Sequence, residues 1–360
     1  MDILKEKINL LVSSFEKILY DEDDIFLKNM ETKNLAGDNA ERYRYWEWTQ
    51  GVGLFGLWKI YEETGEEEYL NKLLKYYERQ MEIGLPARNV NTTTPLLALT
   101  YVAEKSGNET YKQICRDWAA WLVDGLPRTK EGGFQHLTSD TLNEQELWDD
   151  TLFMSVLFLA RMGKLEGNQA WIDEAQYQFL LHIKYLADRK TGLWYHGWTF
   201  NGNHNFAEAF WGRGNSWATM AIPELFEIID CDESVKRFLT EALDKQIESL
   251  KKYQNENGMW HTVINDSTSY VEASATCGFA YGILKAVHLG LVDPSYEECA
   301  RKALAPILDY IDAEGVLHQV SYGTPMGRES VQFYKDIELR PMPYGQAMAM
   351  LYLLEASKNK

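Results

Sequence analysis

The sequence is poor in cysteine and in basic charge, and it has no run of apolar residues long enough to cross a membrane. Its four cysteines, Cys115, Cys231, Cys277 and Cys299, lie far apart with no CxxC spacing. Cys115 and Cys277 fall within apolar helical patterns, so free buried thiols are expected rather than disulfides or metal ligands. Against 54 Asp and Glu there are 36 Lys and Arg, a formal net charge of -18 with no basic cluster, which argues against a nucleic-acid partner. A small anion is not excluded, because screening over roughly 8 Å lets one local arginine outweigh distant carboxylates. No HExxH or Cys/His cluster suggests a metal, there is no GxSxG, and Gly51-Val52-Gly53 is not followed by Gly-Lys-Ser/Thr. No metal is expected from these patterns. Met1-Asp2-Ile3-Leu4-Lys5-Glu6-Lys7 mixes charged and apolar residues without the layout of a signal peptide, so the expected location is cytoplasmic. No Pro/Gly/Ser-rich linker or charge block divides the chain, and one domain over residues 1–360 is expected.

Aromatic residues make up 13% of the chain, and its 12 Trp and 21 Tyr outnumber its 14 Phe, a bias toward rings with a polar handle that suits wet, concave surfaces. Helical periodicity predicts twelve segments, near 2–19, 46–63, 67–83, 92–107, 109–124, 144–163, 167–186, 213–229, 234–252, 272–289, 295–312 and 343–357. Short turns alternate with long connections (20–45, 125–143, 187–212, 253–271, 313–342), which places the long loops at one end of the helices. Within those loops recur Gly132-Gly133-Phe134-Gln135-His136, Gly192-Leu193-Trp194-Tyr195-His196, Gly258-Met259-Trp260-His261 and Gly315-Val316-Leu317-His318. A repeat of this kind marks copied supersecondary units, each glycine supplying a positive-φ turn into a short strand. The expected fold is all-α, six helical hairpins closed into an (α/α)6 barrel rather than an open solenoid.

The strongest local feature is Trp148-Asp149-Asp150-Thr151 at the entrance to an apolar helix. Two acidic residues there can simply cap the helix and complement its dipole. Their place at the loop-rich face and the wall offered by Trp148 favour a second role, because a carboxyl against an apolar surface can serve as a general acid. In Trp211-Gly212-Arg213-Gly214-Asn215-Ser216-Trp217 an arginine stands between glycines, open to a ligand carboxylate. Of the four repeat histidines only His136 and His196, nearest these features, are expected in the site.

The chain resembles glycoside hydrolase family 105, the unsaturated rhamnogalacturonyl hydrolases and their relatives. The resemblance runs through Trp46-Glu47-Trp48-Thr49-Gln50-Gly51-Val52, Asn89-Val90-Asn91-Thr92-Thr93-Thr94-Pro95, Trp148-Asp149-Asp150-Thr151 with Met154, His196-Gly197-Trp198, and Trp211 to Trp217. It implies an (α/α)6 barrel with Asp150 as general acid and base. It also implies substrate contacts from His136, Trp148, Met154, His196, Trp211, Arg213 and Trp217, with Tyr43 or Trp46 and Asn91 less firmly placed. A second site aspartate of the relatives is replaced here by Asn89 or Asn91. The implied reaction hydrates the C4=C5 double bond of a terminal unsaturated uronic acid left by a polysaccharide lyase, with Arg213 facing the uronate carboxylate and no cofactor. The expected partner is thus a small oligosaccharide, and oligomeric state is left open. Two rivals stand beside this reading: an amino-sugar epimerase-like enzyme with histidine bases, and a helical-repeat scaffold for protein partners.

Overall fold

The computed structural model describes residues 3–20 and 24–358; Met1 and Asp2, and with them the start of the segment expected at 2–19, lie outside it. Six helices are apolar around most of their circumference, a pattern that only burial on all sides satisfies. They are Trp48–Thr64, Val90–Ser106, Leu157–Glu166 with a π-helical turn Leu152–Val156 ahead of it, Gly212–Ile228, Ala273–His288 and Pro343–Ser357. Each packs against the next, and Pro343–Ser357 packs against Trp48–Thr64, so the ring closes. The outer helices bury one stripe each. In Glu67–Ile83 the stripe is Tyr69, Leu70, Leu73, Tyr76, Tyr77 and Gln80, the spacing of one helical face. Ile3–Ile18, Glu109–Asp124, Gln169–Leu186, Glu233–Tyr253 and the pair Tyr296–Lys302 and Leu304–Tyr310 complete the outer layer. The architecture is the expected (α/α)6 barrel.

Glycine sets how closely the inner helices approach. A Cβ on Gly51 would lie 2.7 Å from the Pro95 nitrogen, and one on Gly278 would lie 2.7 Å from the Ser216 side chain. The inner helices run in the same direction. At their N-terminal ends Trp48 stacks on Tyr344 at 4.7 Å and meets Trp217 edge-on at 6.1 Å, while Phe153 lies 5.1 Å from Trp217. At their C-terminal ends Lys285 Nζ bridges Glu224 at 2.9 Å and Glu227 at 2.7 Å, Lys59 pairs with the same two glutamates, and Tyr281 donates to Glu224. Lysines are favoured there by the negative ends of the helix dipoles. The Lys59 ammonium, although buried, is held well above its usual range because Glu224, Glu227 and Glu62 outweigh the desolvation that lowers it.

Three expectations change. The segment predicted as helix over 144–163 begins as a strand, Glu146–Trp148, paired antiparallel with Gly197–Thr199, and turns helical only at Asp150. The strand is set by a partner distant in sequence, which helical periodicity cannot register. The segment 295–312 is broken at Ala303, and the long connections carry short helices of their own, Asp24–Lys33, Glu41–Arg44 and Gln332–Lys335. The four repeat glycines do take positive φ, +79°, +72°, +93° and +77° at Gly132, Gly192, Gly258 and Gly315. Among the described residues no helix is long and apolar enough to cross a membrane.

Candidate active site

The site is built where extended loop segments meet the N-terminal ends of the inner helices. The strand pair sets Trp148 opposite Gly197, and the Asp149 N–H donates to the His196 carbonyl at 3.1 Å, which locks the two acidic residues beside His196. His196 Nε2 lies 3.3 Å from Asp150 Oδ2. Its other ring nitrogen, Nδ1, is 2.7 Å from the Tyr334 hydroxyl, whose oxygen accepts the Gly327 N–H at 3.0 Å. In the tautomer in which the phenol donates to Nδ1, the imidazole proton resides on Nε2, toward Asp150. His136 stacks on Trp148 at 4.3 Å and places Nδ1 2.8 Å from Thr151 Oγ1. Trp211 closes over His196 at 4.3 Å.

The two neighbouring carboxyls differ sharply. Asp150 keeps 16% of its side chain exposed, whereas Asp149 is fully buried and neither of its oxygens receives a hydrogen bond. Burial first, and then the negative charge of Asp150, drive the Asp149 carboxyl well above the usual carboxylate range. Burial pushes Asp150 up too, but the His196 ring, His136 and the Asp149 carboxyl together outweigh it and hold Asp150 below that range. Burial lowers His136 to about 3, so its imidazole is neutral. Buried polar atoms without a partner concentrate here: both Asp149 oxygens, Asp150 Oδ2, His196 Nε2, the indole nitrogens of Trp211 and Trp217, and Arg213 Nε. Such a concentration marks a place built for function rather than stability. Asp149, Asp150 and His196 hold their polar atoms within 4.8 Å of one another, a spacing that a cation or a shared proton would satisfy; the buried, unpartnered Asp149 fits the proton.

The other expected residues sort by location. Met154 lies in the wall, its sulfur accepting from Thr94 Oγ1 at 3.3 Å, and Trp217 is fully buried in the aromatic floor. Trp46 donates its indole N–H to the Thr92 carbonyl and packs on Tyr76 and Tyr77, so it belongs to the core between the rings, and Tyr43 is equally buried. Of the two asparagines, Asn89 is committed to a capping box with Thr92 and to Ser139, while Asn91 is only half-buried. Arg213 departs most from expectation. Its fork is taken up by the Ser321 carbonyl and hydroxyl, the Tyr322 carbonyl and Thr324 Oγ1 at 2.6–3.2 Å, with Glu272 at 3.7 Å and the rings of Trp211 and Tyr344 on either side. It fastens the 321–324 loop to the barrel and does not present its fork to a ligand. His261 bonds the Ser269 carbonyl and Asn255, and His318 pairs with Asp312, so both serve local architecture.

Sequence reasoning missed the contribution of the last long loop. Tyr334 reaches His196 from it, and Arg328 grips Glu146 with both terminal nitrogens, at 2.7 and 3.2 Å, while Glu146 accepts the Trp148 indole N–H at 2.9 Å.

The Glycosyl Hydrolase Family 88 model matches residues 21–360. A solved structure from Salmonella enterica serovar Paratyphi A, described as a possible member of family GH105, superposes with a TM-score of 0.91 at 43% identity, covering 98% of this chain and 94% of that one. The chain belongs to the family 88/105 glycoside hydrolases. Among its relatives, the unsaturated rhamnogalacturonyl hydrolase YesR of Bacillus subtilis is 29% identical over 318 residues, 88% of this chain and 90% of that protein. The unsaturated 3S-rhamnoglycuronyl hydrolase of an Alteromonas strain is 26% identical over 290 residues, 76% of this chain and 70% of that protein. As a family 88/105 enzyme the protein is a glycosidase of the unsaturated uronyl hydrolase group, with an oligosaccharide as substrate.

Proposed function

We propose that the enzyme removes a 4,5-unsaturated uronic acid from the non-reducing end of lyase-generated oligosaccharides, an unsaturated rhamnogalacturonan disaccharide foremost, by hydrating the vinyl ether with Asp150 as general acid and base. The observation that carries this reading is the placement of Asp150: the only partly exposed carboxyl of the cluster, 3.3 Å from His196 Nε2, whose ring packs against Trp148 and Trp211. In the reaction Asp150 delivers a proton to C4, positive charge develops at C5 and is shared with the ring oxygen, and water adds at C5 as Asp150 takes up its proton. The resulting hemiketal opens and releases the next sugar. One carboxyl serves both steps because the second restores what the first consumed. Trp148 and Trp211 pack on the histidines beside Asp150 and hold them in place. The positive end of helix Gly212–Ile228 favours the uronate. YesR supports rhamnose in the following subsite. The neutrality of His136 weighs against an epimerase with histidine bases, since an imidazole protonated only near pH 3 is a weak base.

The test is loss of ultraviolet absorbance from the conjugated double bond on incubation with unsaturated disaccharides of different second sugars. Asp150→Asn should lower turnover by about 10²–10⁴-fold while leaving the fold intact. Near-normal rates in that variant, or equal cleavage of a saturated disaccharide, would remove the mechanism.

A further inference from the structure

Asp149 stands outside the reaction as written, yet its environment is the least ordinary in the molecule. It is wholly enclosed at the entrance of a helix, and neither oxygen makes a well-formed hydrogen bond, the donors nearest the carboxyl being the backbone N–H groups of Asp149 and Asp150. The space around it is made by Gly214, where a Cβ would sit 2.8 Å from Asp149 Oδ1 and 2.8 Å from the Trp211 ring. A bare carboxylate in such a place carries a large desolvation cost that two local backbone N–H groups offset only in part. A carboxylic acid does not, provided its proton finds an acceptor, and the acceptor within reach is the carboxylate of Asp150.

We propose, building on the hydrolase reading above, that Asp149 is a positioning residue that holds the resting enzyme's proton, donates it as a hydrogen bond to Asp150, and recharges Asp150 during each turnover. The pair starts with one proton. That single proton passes from Asp149 to Asp150 and on to C4, where the π electrons of C4=C5 form the C4–H bond, so both carboxyls are ionised while positive charge develops at C5. When water adds at C5, its released proton goes to the pair, which ends with the one proton it began with. The charged and titratable groups facing the pair are His196 and His136 on the loop strands and Tyr334, with Arg328 beyond it, from the last loop; the helix carrying Gly214 contributes none at the point of contact. The arrangement accounts for an Asp150 that is held ionised at rest but must act as an acid: its acidity is lodged next door.

The experiment is the pH profile of kcat/KM for the wild type and Asp149→Asn on an unsaturated disaccharide, with thermal melting as a check on folding. The amide can still donate a hydrogen bond but cannot surrender a proton, so the alkaline limb should move at least one unit toward acid. Activity at neutral pH should fall at least about tenfold and recover as pH drops. An unmoved alkaline limb, with or without a uniform loss of rate, overturns the proposal. Infrared spectroscopy gives a reading independent of turnover: a carboxylic-acid carbonyl band at neutral pH, present in the wild type and in Asp150→Asn and absent in Asp149→Asn, is expected. Absence of that band from the wild type, or one equivalent of divalent metal that a chelator removes together with activity, would also overturn it.

Discussion

Tyr334→Phe removes one oxygen atom and tests how the last loop acts on the site. The phenol oxygen accepts the Gly327 N–H at 3.0 Å and meets His196 Nδ1 at 2.7 Å, and the ring is 1% exposed against Trp211. Phenylalanine keeps the ring and leaves the Gly327 N–H buried without an acceptor, which costs about 1–3 kcal/mol. With an unfolding entropy of about 2.1 cal/mol/K per residue, a chain of 360 residues has about 0.8 kcal/mol/K, so Tm should fall by about 1–4 °C. The effect on rate follows from the tautomer. Losing a hydrogen bond of about 1 kcal/mol at Nδ1 lets the imidazole proton leave Nε2 part of the time, a shift of about fivefold in population. The expected result is a fall in kcat of about five- to tenfold, read by ultraviolet absorbance, with a modest loss in Tm, read by differential scanning calorimetry. Wild-type kcat and Tm would show that the hydroxyl does nothing for His196. A loss as deep as that of Asp150→Asn would make Tyr334 itself the proton donor and refute the assignment of that role to Asp150.

Lys285→Met should separate the two ends of the barrel: it removes one of the two buried lysines on Glu224 and Glu227 and leaves them to Lys59, a cost of about 1–3 kcal/mol or about 1–4 °C in Tm, while kcat below the melting range stays at the wild-type level; a change in kcat without loss of stability would contradict that separation. The acid limb of stability should depend on His182, whose imidazole burial lowers from 6.5 to about 4 and whose Nδ1 faces the Gln178 carbonyl at 2.7 Å. Between those values the unfolded chain binds the proton and the folded one does not, so the contribution is complete above the unfolded pKa and lost as pH falls through the window, about 3 kcal/mol in all. His182→Leu should flatten the decline of Tm between pH 7 and pH 5, and an unchanged decline would assign it to other groups such as His136.

The ring of helices was legible because it is written in local periodicity: inner segments apolar on all faces, outer segments apolar on one. The site was legible where neighbours in sequence are neighbours in space, as at Trp148 to Asp150. A further signal lay in the loop repeat. In the two site histidines the ring stands four positions after the turn glycine, at His136 and His196, and in the two structural ones three positions after it, at His261 and His318. Successive side chains of an extended segment point to opposite sides, so that one-residue offset separates the two pairs. What sequence could not reveal depends on distant chain: the burial of Asp149 is set by Gly214, the engagement of Arg213 by the 321–324 loop, and the bond to His196 by Tyr334. Asp149 looked like a helix cap because residues of its type at a helix entrance usually are, and only the packing of another helix across it denies it solvent.

The seam between Pro343–Ser357 and Trp48–Thr64 has a consequence for how the protein comes into being on the ribosome. Pro343–Ser357 fills the place beside Trp48–Thr64, so a nascent polypeptide that has already emerged with Asp149 and Asp150 still lacks one stave, and the flanks of Trp48–Thr64 and Ala273–His288 stand bare until Pro343–Ser357 follows. Tyr344 and Trp48, stacked at that seam, meet only then. A stop codon or frameshift ahead of Pro343 therefore leaves an open trough of apolar helices prone to aggregation, and catalytic activity reports that translation has passed this helix.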